Sequence, residues 1–205
     1  MAAVLALWHN LSPGVEEHFP RWYNRQHLFE RVAVPGFRYG QRYRAVAADR
    51  AYFAYYEVDD PSVLASPAYL ERLDNPTDWT RQVMPHFQDM LRTVCTIIHA
   101  QGTLLGSHAV TWRTPGPPSA HAATLAALGA RDDVARLQLW QAAATQTPAN
   151  NEASLRGGDG LIGGGLLVEC IGAEAAEAVA ALDISALVGA APPQRYALQA
   201  ARYNR

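Results

Sequence analysis

A tyrosine and a histidine four residues apart, Tyr23 and His27, are the pair in this sequence best suited to catalysis. That spacing places both side chains on one face of a predicted helix, where they can line a common pocket. An imidazole exchanges protons near neutral pH, and a tyrosine hydroxyl can orient a substrate. A structural interpretation is also open, in which His27 bonds the backbone and fixes the corner at Val34-Pro35-Gly36.

The residues that follow supply candidates for substrate binding, namely Arg42, Tyr55, Glu57 and Trp79. Residues 37–46 alternate with a period of two, which puts Arg42 on a strand face with two other arginines. Such an arginine can hold a substrate carboxylate through two parallel N–H bonds. Glu57 on the next strand can face it, so an Arg–Glu network between two sheets, or a solvated edge, is the alternative interpretation.

Other motifs give negative predictions. The seven histidines and two cysteines show no metal-binding spacing, so we expect no metal and no cofactor. Residues 158–163 match GxGxxG, but a dinucleotide site needs a strand before the motif and a helix after it. Here a loop precedes the motif and a predicted strand follows, so we reject it as a nucleotide site.

Composition narrows the class of protein. The 205 residues are 49% hydrophobic and 18% charged, and the net charge is -2. This composition supplies a sizeable core but no basic surface for nucleic acid. No apolar run approaches the ~20 residues of a membrane span. Cys95 and Cys170 lie in separate apolar runs, which predicts buried free thiols in a reducing compartment and a cytoplasmic protein.

The first half has the predicted order β-α-β-β-α-β. Strands are expected at residues 4–11, 37–46, 52–58 and 92–99, and helices at 61–73 and 76–90. The first helix is predicted to start at Ser12-Pro13, a cap residue followed by a favoured first position, although Pro20 should kink it or delay its start. Two apolar helical stripes are predicted, Val15-Phe19-Trp22-Gln26-Phe29 and Trp79-Val83-Phe87-Met90.

The second half repeats this order with little sequence similarity. Strands are expected at residues 104–112, 134–142, 166–171 and 195–202, helices at 119–128 and 173–182, and a mobile loop at 145–165. The predicted fold class is α+β, with two tandem ferredoxin-like repeats at 1–102 and 103–205. Their bare sheet faces should pack together as one barrel within the chain.

Several segments resemble the dimeric α+β-barrel (ferredoxin-like) superfamily, and in particular its EthD-like group. They are residues 22–28 (WYNRQHL), 34–37 (VPGF) and 42–43 (RY), with 55–57, 66–69 and 75–80 also similar. The resemblance covers residues 5–95. Gln26 stands where an acidic residue often precedes the histidine, and Phe29 where a proline often follows.

The resemblance implies a small-molecule site between sheet and helices. Members include cofactor-free monooxygenases, isomerases, cyclases and haem-binding enzymes, so the fold limits function only loosely. We expect either a cofactor-independent enzyme acting on a small aromatic or cyclic carbonyl compound, or a non-catalytic ligand-binding or stress-related barrel. A homodimer is compatible with either function.

Overall fold

Eight antiparallel strands close into a barrel in the computed structural model, which describes residues 1–204. The strands are β1 (Ala3–Leu11), β2 (Phe37–Ala47), β3 (Tyr52–Val58), β4 (Phe87–Gln101), β5 (His108–Thr114), β6 (Val134–Ala142), β7 (Gly164–Cys170) and β8 (Gln194–Tyr203). Their order around the barrel is β1-β3-β2-β8-β5-β7-β6-β4. The predicted α+β barrel within one chain is therefore confirmed. The second predicted range ends at Arg205, which lies outside the described residues.

Seven helices pack on the outside of the barrel. The first, α1, covers residues 18–32 as three successive pieces: His18–Trp22, a π-helical turn at Tyr23–His27, and Leu28–Val32. The others are α2 (Pro67–Asp74), α3 (Asp78–Val83), α4 (Ala122–Gly129), α5 (Asn151–Leu155), α6 (Ala173–Ala180) and α7 (Ser185–Val188). Short 3₁₀ turns occupy Pro61–Ala65 and Met84–His86. No helix in the described part is long and apolar enough to cross a membrane.

Each half of the chain forms one wall of the barrel. The first four strands are neighbours in the order β4-β1-β3-β2, and the last four in the order β8-β5-β7-β6. The walls meet where β2 pairs with β8 and where β4 pairs with β6. Because every strand has a partner on both sides, the described barrel has no open sheet edge.

Three apolar layers follow from this arrangement. Strand residues alternate between the barrel interior and the helix-covered outside, so each wall buries both of its faces. The interior is mostly aromatic and contains Trp8, Tyr39, Tyr43, Phe53, Tyr55, Trp140 and Tyr196. Separate layers lie between the first wall and its helices and between the second wall and its helices. Both cysteines are buried and free.

The first helix starts later than predicted. It begins at His18, so Pro20 falls in its first turn, where proline needs no donor, and the expected delay is observed. Ser12 does not cap it. Its hydroxyl instead lies 2.7 Å from Nδ1 of His86, and Gly14 turns the chain with a φ of +90°.

The predicted apolar stripe of α1 is wrong beyond Trp22. The π-helical turn holds one extra residue, which rotates the remaining helix relative to a regular α-helix. His27, Leu28 and Arg31 therefore face the barrel, while Phe29 is 45% exposed.

The predicted helix at 76–90 is also wrong at both ends. Thr77 caps α3 by accepting from the N–H of Thr80 at 3.1 Å, so the helix begins at Asp78. Pro85 then ends it, because a proline in the next turn would remove a helical donor. Phe87 and Met90 lie in β4 and do not continue a helical stripe from Trp79.

Two predictions for the second half need correction. β5 begins at His108, later than the predicted start at 104. The expected structureless loop at 145–165 contains α5, whose first turn is capped by Asn150 accepting from the N–H of Ala153 at 2.9 Å. A strand follows Gly163, as predicted, where a dinucleotide-binding GxGxxG motif would be followed by a helix.

Candidate functional site

A polar cavity lies between α1 and the outer face of the first wall. Its volume is about 30 Å³, and a buried water needs roughly 10–15 Å³, so it has room for about two waters or one carboxylate group. Apolar residues such as Leu5, Met84 and Phe87 form part of the lining. The polar lining residues are His9, Tyr23, His27, Arg31, Tyr56, Tyr69, Arg92, Glu152 and Arg156.

The π-helical turn positions the two residues predicted to be catalytic. The N–H of Leu28 donates to the carbonyl of Tyr23, which closes the wide turn around Tyr23 and His27. The Tyr23 hydroxyl lies 2.6 Å from that of Tyr56 on β3, and the His27 ring packs against Trp22 with centroids 4.2 Å apart. Single π-helical turns occur often at functional sites, which agrees with this position beside the cavity.

Both cavity histidines are neutral at neutral pH. Burial lowers the pKa of His27 well below its usual value, and the nearby Arg31 and Arg156 lower it further. Burial also lowers the pKa of His9 to about 3. Nδ1 of His9 lies 3.1 Å from the carbonyl of Asn10, so Nδ1 carries the proton and Nε2 keeps its lone pair. In the described residues Nδ1 of His27 has no hydrogen-bond partner.

The tyrosine pair cannot act as a base. Burial raises the pKa of Tyr23, and burial together with Tyr23 raises that of Tyr56 well above its usual value. Both hydroxyls therefore stay protonated. One of them donates to the other, so the pair can offer one remaining O–H to a ligand oxygen.

Three arginines surround the cavity, but only one carboxylate lines it. Arg31 forms a buried ion pair with Glu152, and Arg156 donates to both oxygens of Asp159 at 2.7 Å. Arg92 donates only to hydroxyls, those of Tyr69 at 3.0 Å and Thr147 at 3.1 Å. The site is therefore electropositive, since Glu152 and Asp159 balance two of the three arginines and the neutral histidines add no charge.

Arg42, predicted to bind a substrate anion, lies behind this cavity. It is 2% exposed and donates to Oδ1 of Asn24 at 3.2 Å, while its guanidinium stacks on Tyr23 4.7 Å from the ring centroid. Its Nε and Nη1 have no partner among the described residues. Burial lowers the pKa of Arg42.

Tyr55 and Glu57 lie on the other side of the wall, inside the barrel. The register of β2 and β3 pairs Arg42 with Ala54 and Glu57 with Tyr39, so the expectation that Glu57 faces Arg42 is wrong. Alternation along β3 turns Tyr55 and Glu57 away from the helices. Glu57 instead accepts from Nε2 of Gln138 at 2.8 Å and from Arg38 at 3.2 Å.

The barrel interior holds a polar cluster built around Glu169. Its carboxylate accepts from the hydroxyls of Tyr55 at 2.6 Å and Tyr43 at 2.8 Å, and from Arg136 at 3.0 Å. These bonds join the two walls. The predicted network between Glu57 and the arginines of β2 is therefore only partly observed: Arg38 of β2 donates to Glu57, whereas the ion pair that joins the two walls is between Arg136 of β6 and Glu169 of β7.

Trp79 is separate from both polar regions. It is half-buried on α3 and lines a surface hollow with Val15, His18 and His86. Of the six predicted site residues, the structure thus brings only Tyr23 and His27 to the cavity, with Arg42 behind them.

The sequence prediction missed most of the charged lining. Arg31 was not predicted, because in a regular α-helix it would point away from the predicted apolar face of α1. Glu152 and Arg156 were not predicted, because they lie in the segment expected to be a mobile loop. The length of that segment was a usable signal, since loops beyond ~12–15 residues are often functional.

A metal ion does not fit the residues present. Within residues 1–204, no group of three or more His, Cys, Asp or Glu side chains is placed to hold a metal ion.

Comparison with solved structures identifies the fold. An anthrone oxidase-like protein matches with a TM-score of 0.64 and 11% identity, over 99% of this chain and 93% of that one. A "putative monooxygenase" of Fusobacterium nucleatum subsp. nucleatum matches at 0.60 and 7% identity, over 98% and 94%. Another "putative monooxygenase", from Lactobacillus acidophilus, matches with a TM-score of 0.58 and 6% identity, over 99% of this chain and 96% of that one. These are dimeric α+β-barrel proteins.

The chain shares the α+β-barrel fold of these proteins, with the barrel closed within one chain. At these sequence identities the similarity shows the fold alone. The alignment covers almost the whole of this chain and of each neighbour. No family model and no curated protein matches the sequence. The residues of the α1 cavity must therefore carry any assignment of function.

Proposed function

We propose that the α1 cavity is a small-molecule site at which a cofactor-independent enzyme oxidises an aromatic or cyclic carbonyl compound. The observation that carries this proposal is the enclosed polar cavity holding His27 beside the Tyr23–Tyr56 hydroxyl pair. The anthrone oxidase-like and monooxygenase-like neighbours support it at the level of the fold.

The chemistry follows from the protonation states. Neutral His27 can take a proton from a methylene carbon that is conjugated with a carbonyl through an aromatic ring, as in anthrone, and the Tyr23–Tyr56 pair can donate to the enolate oxygen that forms. Arg42, behind the Tyr23 ring, adds positive charge that favours the enolate. With anthrone, the balanced reaction is anthrone plus O₂ giving anthraquinone plus water: the methylene loses two hydrogens, one oxygen atom becomes the new carbonyl and the other leaves as water.

The test is oxygen consumption and anthraquinone formation with anthrone as substrate. Because a positioned acid–base group contributes ~10²–10⁴-fold, we expect His27→Gln to lower kcat/KM at least ~100-fold. Its melting temperature should stay within a few degrees, since Nδ1 of the ring makes no hydrogen bond with the described residues. His121→Gln, at an exposed histidine, is the matched control. Unchanged turnover in His27→Gln would overturn the assignment of the base.

A second function, ligand binding without chemistry, is favoured by the closed cavity and the lowered pKa of His27. The arginines that lower this pKa disfavour the imidazolium that a base must become. This alternative predicts thermal stabilisation by aromatic carbonyl compounds with no oxygen uptake.

We also infer the finer organisation expected from the sequence. The matching strand orders of the two walls support tandem ferredoxin-like repeats at residues 1–102 and 103–205, and the motif at residues 22–28 supports an EthD-like origin for the first. Buried free Cys95 and Cys170 support a cytoplasmic location. A homodimer with a small-molecule ligand is the proposed assembly, and sedimentation would test it.

A further inference from the structure

Arg92 is a buried cation without a carboxylate partner among residues 1–204. It projects from β4, where it is paired in register with Leu7 of β1, and it is only 8% exposed. Its bonds go to the neutral hydroxyls of Tyr69 and Thr147 through one nitrogen, Nη2. A buried charge is costly unless an opposite charge compensates it, so an uncompensated one beside a cavity indicates a missing anion.

The other charges near the cavity do not supply that anion. Glu152 is engaged by Arg31 and lies 3.7 Å from Arg156, and Asp159 is engaged by Arg156. These two carboxylates balance two arginines. Arg92 remains, with Arg42 a second uncompensated cation behind it.

The cavity has the size of the missing group. About 30 Å³ accommodates roughly two water-sized groups, which is the volume of a carboxylate rather than of a whole aromatic molecule. The nearby Tyr56 and Phe87 provide the apolar surface that an aromatic ring would need.

We propose that the site binds a small aromatic anion whose carboxylate, phenolate or enolate oxygen accepts hydrogen bonds from Arg92. This inference rests on the proposed small-molecule site and names its substrate class. An anion at Arg92 also offsets the positive charge that disfavours protonated His27. Binding of the anion therefore makes the neighbouring imidazole a stronger base.

The segment between β6 and β7 covers this subsite. Thr147, Glu152 and Arg156 come from residues 147–156, and Asn151 ties the same segment to α2 by donating to the Asp74 carbonyl at 2.8 Å. A ring attached to the bound anion needs more room than 30 Å³, so the segment must move when the ligand enters. The Thr147 hydroxyl bond to Arg92 is the contact that the anion replaces.

The experiment compares sodium benzoate with benzamide, its neutral counterpart of the same shape. Calorimetric titration and thermal unfolding should show saturable binding of benzoate and at least tenfold weaker binding of benzamide. A charge-assisted hydrogen bond contributes ~1.5–3 kcal/mol, so Arg92→Met should weaken benzoate binding about 10- to 100-fold. Arg25→Met removes an exposed arginine from the same side of the barrel, on α1, and should bind benzoate like the wild type.

The outcomes distinguish a failure of the anion subsite from a failure of the small-molecule site. Equal binding of benzamide and benzoate, with no effect of Arg92→Met, overturns the anion subsite and leaves the small-molecule site standing. Binding of neither compound, nor of neutral anthrone, overturns the site itself. If Arg92→Met does not fold, Arg92→Lys keeps the charge without the planar fork and should retain part of the preference for benzoate.

Discussion

The barrel interior and the α1 cavity are both rich in buried polar groups, yet they solve the problem of buried charge differently. In the interior, Glu169 receives bonds from Arg136 and two tyrosines, and it lies among the packed aromatic side chains of the barrel. At the cavity, Arg92 has only hydroxyl partners and an adjacent space. A compensated charge in a filled core indicates architecture, whereas an uncompensated charge beside a space indicates binding.

The largest effect should come from breaking the interior cluster. Glu169→Gln leaves Arg136 as a buried cation and turns an acceptor into a group that also donates, so we expect a loss of ~3–5 kcal/mol in the free energy of unfolding. Urea denaturation measures it. Glu174→Gln, at an exposed position on α6, should change stability by less than ~0.5 kcal/mol. A similarly small loss in Glu169→Gln would mean that the interior cluster is not what holds the walls together.

The next effect concerns the ion pair that closes the cavity. Glu152→Gln removes the countercharge of Arg31, so we expect a loss of ~1.5–3 kcal/mol in stability. The same change makes the cavity more positive and should tighten benzoate binding. Glu71→Gln on the exposed face of α2 is the control for both measurements. Weaker benzoate binding in Glu152→Gln would show that Glu152 contributes something other than charge balance.

A third test uses pH. The pKa of His9 falls to about 3 on folding from about 6.5 in the unfolded chain, so the unfolded state binds more protons below pH 6.5. Its stabilising contribution is complete above pH 6.5 and declines as pH falls toward 3. Between pH 7 and pH 5 this amounts to ~2 kcal/mol, and His27 acts in the same direction.

His9→Gln should therefore lose ~2 kcal/mol less than the wild type between pH 7 and pH 5, as measured by urea unfolding at both values. The control is His121→Gln, which removes an exposed histidine. An identical pH dependence in His9→Gln and the wild type would contradict the neutral, buried state of this ring.

The smallest effect is expected for Arg92→Met, and the matching change at Arg136 supplies the contrast. Arg136→Met should destabilise the protein, because it leaves the buried Glu169 carboxylate without its ion-pair partner. Arg92→Met should change stability by less than ~1 kcal/mol or increase it, since no buried carboxylate loses its partner. Thermal unfolding without ligand distinguishes the two. A large destabilisation in Arg92→Met would assign Arg92 to the architecture.

The barrel was predictable because it depends on alternation along strands and on element order, which a sequence displays directly. The position of Tyr23 and His27 beside a pocket was also predictable from their spacing. The exposure of Phe29 was not predictable, since a π-helical turn leaves no clear signature in residue types. The separation of Arg42 from Glu57 depends on which face of each strand turns inward, and alternation alone does not specify that.

The charged lining was the hardest part to predict. Arg92 and Arg156 are distant in sequence and meet only because the chain closes on itself between β4 and β6. Local patterns carry no information about such a contact.

Closure of both walls from a single polypeptide has an evolutionary consequence. In a barrel assembled from two identical chains, every substitution appears twice, and both helix–sheet layers must tolerate it. Here a substitution in β4 or α1 leaves the opposite layer unchanged. One layer can thus hold a cluster of buried charges that the other lacks, while the second half of the chain supplies residues 147–156 as the cover of that cluster.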